Sequence, residues 1–505
     1  MLHSDGIAPT IDHERVREIE DRGQTLALLA AVRAPSTPEP ERTEALRTLG
    51  YLEDHRSIGP LTAIVEDVEL RTGVREAASE VLTGFDDGTT AERRRGWWER
   101  GDATTMKHAL RLMLRSEADI VVAVAGDDRH PLQADALAAL AFGFDEPQFQ
   151  PVTIRALAHP DPVVRRAAAD VLLWDEPVAA QEPLLRAASD PCGDVAAGAL
   201  DTLQYYPSRR VLRALSELRR SGDARARATA AASFEVIRGG FAYVAAAGAP
   251  AEVALLRAWM QPVADLVQWP DEVQAPEVYA PTARPPRVGM SEQDLLALLA
   301  EPDGAWAPKK QALRELDWDG FDGGARQRLS GALSTHPDPV VRELAAAGLA
   351  AWCRSGELLE LARDESFSVR KSAIHHLGSV PRDPALAAFA WDYMLGNGGM
   401  TASEALWTYA AHAAAGEAKE RLAELARADR RESIRVTAIS GLADLGAARA
   451  CEGLIALLRE PPGVTWAVHA ALLDALRALR LPAPDLGDLA AVDNLDLVRS
   501  VVAYR

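Results

Sequence analysis

The chain of 505 residues exceeds the size of one conventional core, which stops growing near about 250–300 residues, so it holds several domains or a repeat array. Apolar residues make up 48% of it, yet no run of about 18 apolar residues is present to span a membrane. A net charge of −19 argues against general nucleic-acid binding, because that binding depends on cationic side chains.

The N-terminal segment MLHSDGIAPTIDHERVREIEDRG is polar and lacks the apolar core of a signal peptide. The cysteines, Cys192, Cys353 and Cys451, lie far apart and form no zinc or disulfide pattern. These features predict a chain of the reducing cytoplasm that carries no metal and no cofactor.

One short pattern recurs along most of the chain. The segment HPDPVVR occupies residues 159–165 and again 336–342. The valine before each arginine, Val164 or Val341, serves as an anchor, and related segments follow at intervals of about 30 residues. Their anchors are Val74, Leu132, Val195, Ala226, Val369, Ile434 and Val498. Each unit has a turn, an alanine-rich run with helical spacing and room for a second short helix.

The pattern D-x-x-V-R before an alanine-rich helix resembles HEAT repeats, most closely the short bacterial HEAT-like repeats of the phycobilisome-lyase type. It covers most of residues 40–238 and 306–505. The residues that carry it are Asp161, Val164 and Arg165; Asp338, Val341 and Arg342; Ser366, Val369 and Arg370; Val74 and Arg75; and Val498 and Arg499. The resemblance implies an all-α solenoid, an α-α superhelix of about twelve helix pairs with one interruption. It also implies that the turn aspartate and helix arginine link neighbouring repeats, so we expect these arginines to be buried and paired with carboxylates.

The period fails between Ile237 and Ser291. Residues 250–269 could form one amphipathic helix or two, with Pro262 as a kink. The prolines that follow exclude a long helix over residues 270–289. Ser291 then caps a new helix, with Asp294 three residues later. The predicted domains are an N-terminal solenoid over 1–238, an irregular proline-rich insertion or linker over 239–290, and a C-terminal solenoid over 291–505. The insertion is either a simple connection or a binding element.

Three local patterns contain residue types that could form a metal, phosphate or catalytic site. The acids of DWDGFDGG, residues 317–324, miss the EF-hand positions, so a polar turn with N-capping acids is predicted. GNGGM, residues 396–400, lacks the Lys-Ser/Thr of a P-loop and predicts a turn between helices. His130, His159 and His336 occupy the same turn before a proline, and this recurrence predicts a capping role. An enzyme would need a site assembled only by the fold.

Two arginine-rich runs stand out, ERRRGWWER at 92–100 and SRRVLRALSELRRSGDARARA at 208–228. The second is the stronger, and includes Arg209, Arg210 and Arg213. A solvated face of arginine and glutamate is the favoured interpretation, and a cationic surface for nucleic acid is the alternative.

Aromatic residues recur at the end of the anchor helix. Phe142, Trp174 and Tyr205 lie ten residues after their anchors, whereas Phe85 and Trp352 lie eleven after theirs. Core packing is the favoured interpretation, and an aromatic strip on the concave side is the alternative. The exposed positions of these helices are expected to be Arg166, Trp174, Tyr205, Trp352, His375 and His376.

The predicted function is a non-enzymatic scaffold that binds another protein through its concave face, without identifying that partner. The candidate binding residues are Arg166, Trp174, Tyr205, Arg209, Arg210, Arg213, Trp352, His375 and His376. The alternative is a HEAT-like enzyme, either a nucleic-acid glycosylase or a lyase or chaperone for a prosthetic group. The first requires a continuous basic face with a catalytic carboxylate, and the second requires a deep apolar pocket.

Overall fold

The computed structural model describes residues 22–52, 57–84, 91–113, 117–143, 149–175, 178–221, 224–247, 250–267, 289–300, 312–364, 366–397, 399–459, 466–482 and 492–504. Regular secondary structure in these ranges is helical, with no β-strand, and consecutive helices pack on one another. The predicted all-α solenoid class is confirmed. Over the same ranges, no helix has the length and continuous apolar surface that a bilayer crossing requires.

The α-helices in chain order are α1 Arg22–Arg33, α2 Glu39–Leu52, α3 Ile58–Glu66, α4 Thr72–Gly84, α5 Ala91–Glu99, α6 Ala103–Leu112, α7 Ala118–Gly126, α8 Gln133–Gly143, α9 Gln150–Ala156, α10 Pro162–Asp175, α11 Gln181–Ala187, α12 Gly193–Leu203, α13 Arg209–Ser221, α14 Ala224–Ala247, α15 Pro250–Met260, α16 Glu292–Ala300, α17 Gly323–Ser334, α18 Pro339–Ala351, α19 Ser355–Leu361, α20 Phe367–Leu377, α21 Pro384–Gly396, α22 Gly399–His412, α23 Ala415–Ala428, α24 Glu432–Asp444, α25 Ala448–Glu452, α26 Ala467–Ala478 and α27 Leu495–Tyr504. They form two compact units. Unit 1 is Met1–Leu112 with Ala283–Arg382, and unit 2 is Met113–Thr282 with Asp383–Arg505.

The predicted anchors are core positions. All of them are buried: Val74, Leu132, Val164, Val195, Ala226, Val341, Val369, Ile434 and Val498. The helix that follows an anchor packs against its counterpart in the next repeat, as in the series α8, α10, α12 and α14 of unit 2. Buried alanines such as Ala168, Ala196 and Ala199 lie on these helices, and small side chains let helices approach closely.

Each HPDPVVR arginine binds forward to the next repeat. Arg165 donates to both carboxylate oxygens of Asp190, from Nε at 2.7 Å and Nη2 at 2.8 Å. Arg342 forms the same fork with Asp364, also at 2.7 and 2.8 Å. Arg342 is buried and Arg165 is half-buried, so the prediction of shielded, carboxylate-paired arginines is confirmed at these two positions. Arg370 is half-buried and donates to the backbone carbonyl of Asp364 at 2.7 Å. The prediction of burial is wrong at Arg499, which is exposed. The hydrogen bond from Arg165 holds the pKa of Asp190 below its usual value.

The histidines before these turns are caps, as predicted. Nδ1 of His159 accepts a hydrogen bond from the backbone N–H of Asp161 at 3.0 Å. Nδ1 of His336 accepts one from Asp338 at the same distance. His130 accepts the amide of residue 132 in the same way, at 3.1 Å. The recurrence of histidine in the sequence therefore reflects a repeated turn.

The opposite ring nitrogen binds backward to the preceding repeat. Nε2 of His159 lies 3.2 Å from the carbonyl oxygen of Asp128, and Nε2 of His336 lies 3.4 Å from that of Leu299. The repeat before His159 has Gln133 where the HPDPVVR repeats have arginine, and its side chain donates to the Asp128 carboxylate of its own turn at 3.2 Å. At this joint the histidine supplies the contact that crosses between repeats.

A third arginine fork lies in unit 1. Arg75 is buried and donates from Nη1 to Asp102 at 3.1 Å and from Nε to the carbonyl of Val65 at 2.9 Å. Asp102 also accepts the backbone N–H of Thr105 at 3.0 Å. The Arg75 hydrogen bond is the main cause that lowers the pKa of Asp102 to about 2.

The predicted caps and turns are confirmed at three sites. Ser291 Oγ accepts the N–H of Asp294 at 3.1 Å before α16. Asp322 in DWDGFDGG accepts the N–H of Ala325 at 2.8 Å and caps α17. Within the run GNGGM, α21 ends at Gly396 and α22 begins at Gly399.

The interruption begins with a long helix. Helix α14 runs for 24 residues, α15 ends at Met260, and Pro262 lies in the 3₁₀ turn Gln261–Val263. The α-helix therefore ends before Pro262, where a kink was expected, because proline lacks the N–H that would continue it. Residues 268–288 lie outside the described ranges, and the predicted loop falls almost wholly within them.

Candidate functional site

The candidate residues fall in both units. Arg166, Trp174, Tyr205, Arg209, Arg210 and Arg213 belong to unit 2, and Trp352, His375 and His376 belong to unit 1. The surface that α10, α12 and α14 present in unit 2 is termed the anchor-helix surface below.

Arg166 bridges two repeats on the anchor-helix surface. Its Nε lies 2.9 Å from both carboxylate oxygens of Asp170, and Nη1 donates to the carbonyl of Asp194 at 2.8 Å. The guanidinium covers Gly198 so closely that a Cβ there would lie 2.6 Å from Nε. These contacts hold α10 to α12 and use two of the five N–H groups of the guanidinium.

Tyr205 is the exposed aromatic residue of this surface. Its exposed fraction is 44%, whereas the hydroxyl of the buried Tyr206 donates to the carbonyl of Leu172 at 3.0 Å. Val236 lies ten residues after its anchor, as Tyr205 does, and is 55% exposed. Tyr205 follows the end of α12, and Val236 lies on α14. These two helices pack together. Trp174 lies in the last turn of α10, but its side chain is outside the described part of the chain.

Trp352 is a core residue, so the prediction that it is exposed is wrong. Its exposed fraction is 7%, and its Nε1 donates to the carbonyl of Trp318 at 2.6 Å. The ring meets Trp318 and Phe321 edge-on, at centroid distances of 5.4 and 5.8 Å. Trp352 lies eleven residues after its anchor, one more than Tyr205, and one residue turns a helical direction by about 100°.

His375 and His376 are neighbours on α20. Their ring centroids are 5.1 Å apart, and His375 is exposed while His376 is half-buried. Burial is the main cause that lowers the pKa of His376, and the His375 charge adds to it. Over the described residues, no cluster of three or more His, Cys, Asp or Glu side chains is arranged to hold a metal ion.

Arg209 is engaged within its own unit. Asp493 accepts hydrogen bonds from the backbone N–H and Nε of Arg209, at 3.0 and 2.8 Å, and from the N–H of Arg210 at 3.1 Å. The guanidinium stacks over Trp259 at 4.4 Å from the ring centroid and donates to its carbonyl. Carboxylates are favoured at the start of a helix because the first amides have no partner within it, and Asp493 fills that place at α13.

The neighbouring arginines are likewise engaged. Arg210 pairs with Glu182 at 2.6 Å, and Arg225 pairs with Asp194. Arg213 donates to the carbonyl of Pro262 at 2.6 Å. The predicted arginine face is therefore partly neutralised by carboxylates.

Ser79 and His108 in unit 1 resemble a nucleophile and base by distance alone. Oγ of Ser79 lies 2.9 Å from Nδ1 of His108, but both side chains are buried and the ring of Trp97 lies 4.9 Å from that of His108. Burial is the main cause that lowers the pKa of His108 to about 4. A pair sealed from solvent has no route to a substrate, so these residues stabilise the core.

Comparison with known proteins adds a family match over part of the chain. Residues 150–235 match the family model of HEAT repeats. This segment contains the first HPDPVVR turn and the anchor-helix surface, so the predicted HEAT-type repeats are confirmed there. No curated protein matches the chain.

Several solved structures of helical repeats are similar over long stretches. A chain from the structure of Kap95p with RanGDP is 14% identical with a TM-score of 0.28, over 90% of this chain and 67% of that one. A chain of the CpcE–CpcF phycocyanin lyase complex from Nostoc sp. PCC7120 is 18% identical with a TM-score of 0.28, over 47% and 97%. Human deoxyhypusine hydroxylase is 16% identical with a TM-score of 0.22, over 65% and 96%. No function or partner is inferred from likenesses of this size.

Proposed function

We propose that this chain is a non-enzymatic scaffold that binds another protein through the anchor-helix surface, with Tyr205 and Val236 among the contact residues. The observation that carries this proposal is their exposure ten residues after two successive anchors, with Tyr205 just after the end of α12 and Val236 on α14, and α12 and α14 pack together. Tyrosine is enriched at binding hot spots because it buries a large area at small entropic cost.

The surroundings of these residues favour a protein over a nucleic acid. Arg225 and Arg210 pair with carboxylates, and the chain has a net charge of −19. Binding to phosphates would have to break such pairs. Arg213 remains a proposed contact residue in unit 2, and His375 and His376 remain proposed contact residues of unit 1 taken by itself. Trp352 is withdrawn because it is buried.

The two exposed residues Tyr205 and Val236 are termed the apolar strip. The test compares a variant of this strip with a variant of a matched exposed valine. Tyr205→Ala combined with Val236→Ser removes the apolar strip, and Val68→Ser alters a 66% exposed valine of unit 1. Partners captured from the native cell by the wild-type chain are identified, purified and titrated against each variant. The proposal expects at least about tenfold weaker binding for the strip variant, with unchanged binding for Val68→Ser. Equal affinities for all three chains would reject this surface.

A further inference from the structure

Turns between the described helices share one hydrogen bond but use two kinds of side chain. In each, the side chain accepts the backbone N–H of the residue two positions later, over distances of 2.8–3.1 Å. The acceptor is an aspartate at Asp67, Asp127, Asp190, Asp364 and Asp429, and a histidine at His130, His159 and His336. His159 and His336 are the histidines of the two HPDPVVR segments.

The histidine turns require an uncharged ring. A backbone N–H can only donate, so Nδ1 of His159 and of His336 must hold a free lone pair. A carbonyl can only accept, so Nε2 must carry the proton toward Asp128 or Leu299. Both contacts are satisfied by one neutral tautomer, and a second proton on Nδ1 would point at an N–H group.

Protonation of His159 or His336 would also affect the contact that its ring makes with the preceding repeat. The contact between His159 and Asp128 links residues 31 positions apart, and that between His336 and Leu299 links residues 37 apart. A ring that turns away from its amide would lose both contacts. At the first HPDPVVR joint the preceding repeat has Gln133 in place of an arginine fork, and a crossing contact that would remain is that from Arg155 to the carbonyl of Gly126 at 3.2 Å.

Charges of both signs surround the first histidine. Asp161 lies on its own turn, and Arg165 donates to its carbonyl while holding Asp190. From the preceding repeat come Asp128, whose carboxylate is held by Gln133, and Arg155 of α9, which donates to the carbonyl of residue 126. Protonation of His159 would therefore bring a cation close to Arg165.

The second histidine has a similar set of neighbours. Asp338 lies on its turn, and Arg342 donates to its carbonyl at 2.7 Å while forming its fork with Asp364. Helix α16 contributes the uncharged carbonyl of Leu299.

We propose that the two HPDPVVR turns are acid-sensitive joints, which open toward the preceding repeat when His159 and His336 are protonated, while the aspartate turns stay closed. The direction follows from the number of bound protons. The closed turn holds a neutral ring and the open turn frees the histidine, so the open turn can bind one more proton, and the state that binds more protons gains as the pH falls. Closure therefore weakens as the pH falls.

The test is residue-resolved amide hydrogen exchange of the full chain between pH 7.5 and 5.5, corrected for the intrinsic pH dependence of exchange. The amides of Asp161 and Asp338 report the histidine turns, and those of Cys192 and Ser366 report two aspartate turns of the same chain. The opening constants of the first pair should rise by up to about tenfold for each pH unit, the limit for uptake of one proton on opening. Those of the second pair should stay constant.

Matched variants separate titration from geometry. His159→Asn and His336→Asn keep an acceptor oxygen that does not titrate, so the pH dependence at their own turn should disappear. If a variant loses protection at every pH, nitrogen chemical shifts of labelled wild-type imidazoles report instead, and Nδ1 should remain unprotonated in the closed state. Constant protection of Asp161 and Asp338 down to pH 5.5, or an equal loss in the asparagine variants, would overturn the proposal.

Discussion

The two HPDPVVR segments place the same joint in different surroundings, one in each unit. Their arginine forks agree within 0.1 Å, and both histidines cap the amide two residues later at 3.0 Å. The first valine of each motif differs, because Val163 is 63% exposed and Val340 is 4% exposed. The motif therefore specifies how repeats are joined, and the adjoining residues decide what each repeat buries.

A second contact between neighbouring repeats also differs between the two units. In unit 2, Arg166 reaches over Gly198 to the carbonyl of Asp194 in the next repeat. In unit 1, the equivalent position holds Glu343, whose carbonyl accepts from Ser372 Oγ of the next repeat at 2.9 Å. Neighbouring helices are bridged both times, but the donor comes from opposite sides.

The largest expected difference lies in the aromatic residues at the ends of the anchor helices. Trp352→Ala should lower the free energy of unfolding by about 3–5 kcal/mol, because the ring is buried and its N–H is bonded. Tyr205→Ala should change it by less than about 0.5 kcal/mol. Chemical denaturation measures both, and Trp174→Ala then indicates which of the two residues Trp174 resembles. A large loss in Tyr205→Ala would return that residue to the core and remove the proposed contact.

The arginine forks should give the next effect. Arg342→Ala or Arg165→Ala should cost about 2–4 kcal/mol, because each leaves a shielded carboxylate without its cation. Arg342 should be the costlier, since its side chain is 10% exposed against 14% for Arg165. The control is Arg165→Ala with Asp190→Ala, which should cost less than the sum of the single changes. Additive losses would mean that the fork contributes little.

The buried His108 should make the free energy of unfolding depend on pH. His108 has a pKa of about 4 in the fold and about 6.5 in the unfolded chain, so its contribution is present above pH 6.5 and is lost as the pH falls toward 4. We expect a loss of about 2–3 kcal/mol in the free energy of unfolding between pH 7.5 and 4.5 from this residue. The double variant His108→Leu with Ser79→Ala removes both polar partners, and denaturation at several pH values should show a correspondingly shallower slope. An unchanged slope would assign the acid response to other groups.

The smallest effects concern two helical glycines. Gly198→Ala should destabilise the chain by up to about 1 kcal/mol, because its Cβ displaces Arg166 from its bridge. Gly331→Ala on α17 meets nothing within 4 Å and should stabilise the chain by about 0.5–1 kcal/mol. Thermal unfolding of both variants distinguishes the signs, and two stabilising changes would mean that the Arg166 bridge is weak.

The joints could be predicted from the sequence because they depend on short, repeated spacings. The anchors, the buried arginines and the capping histidines all lie within one turn of a recognisable motif. Trp352 could not be placed, because one extra residue turned it toward Trp318, which sequence patterns do not relate to it. Tyr206, which bonds to Leu172, was likewise indistinguishable in the sequence from the exposed Tyr205 beside it.

The contact between Arg209 and Asp493 ties the completion of unit 2 to the order of synthesis. These residues lie 284 positions apart, so the first amides of α13 gain their carboxylate only after the intervening chain has been made. At about 5–20 residues per second, that interval lasts roughly 15–60 seconds. Local helix pairs can form while the ribosome is still working, but this long-range closure must come late. Until then, the first amides of α13 lack the Asp493 carboxylate that accepts their hydrogen bonds. The nascent chain therefore passes through a state with an uncapped helix, in which chaperones can bind before the fold is complete.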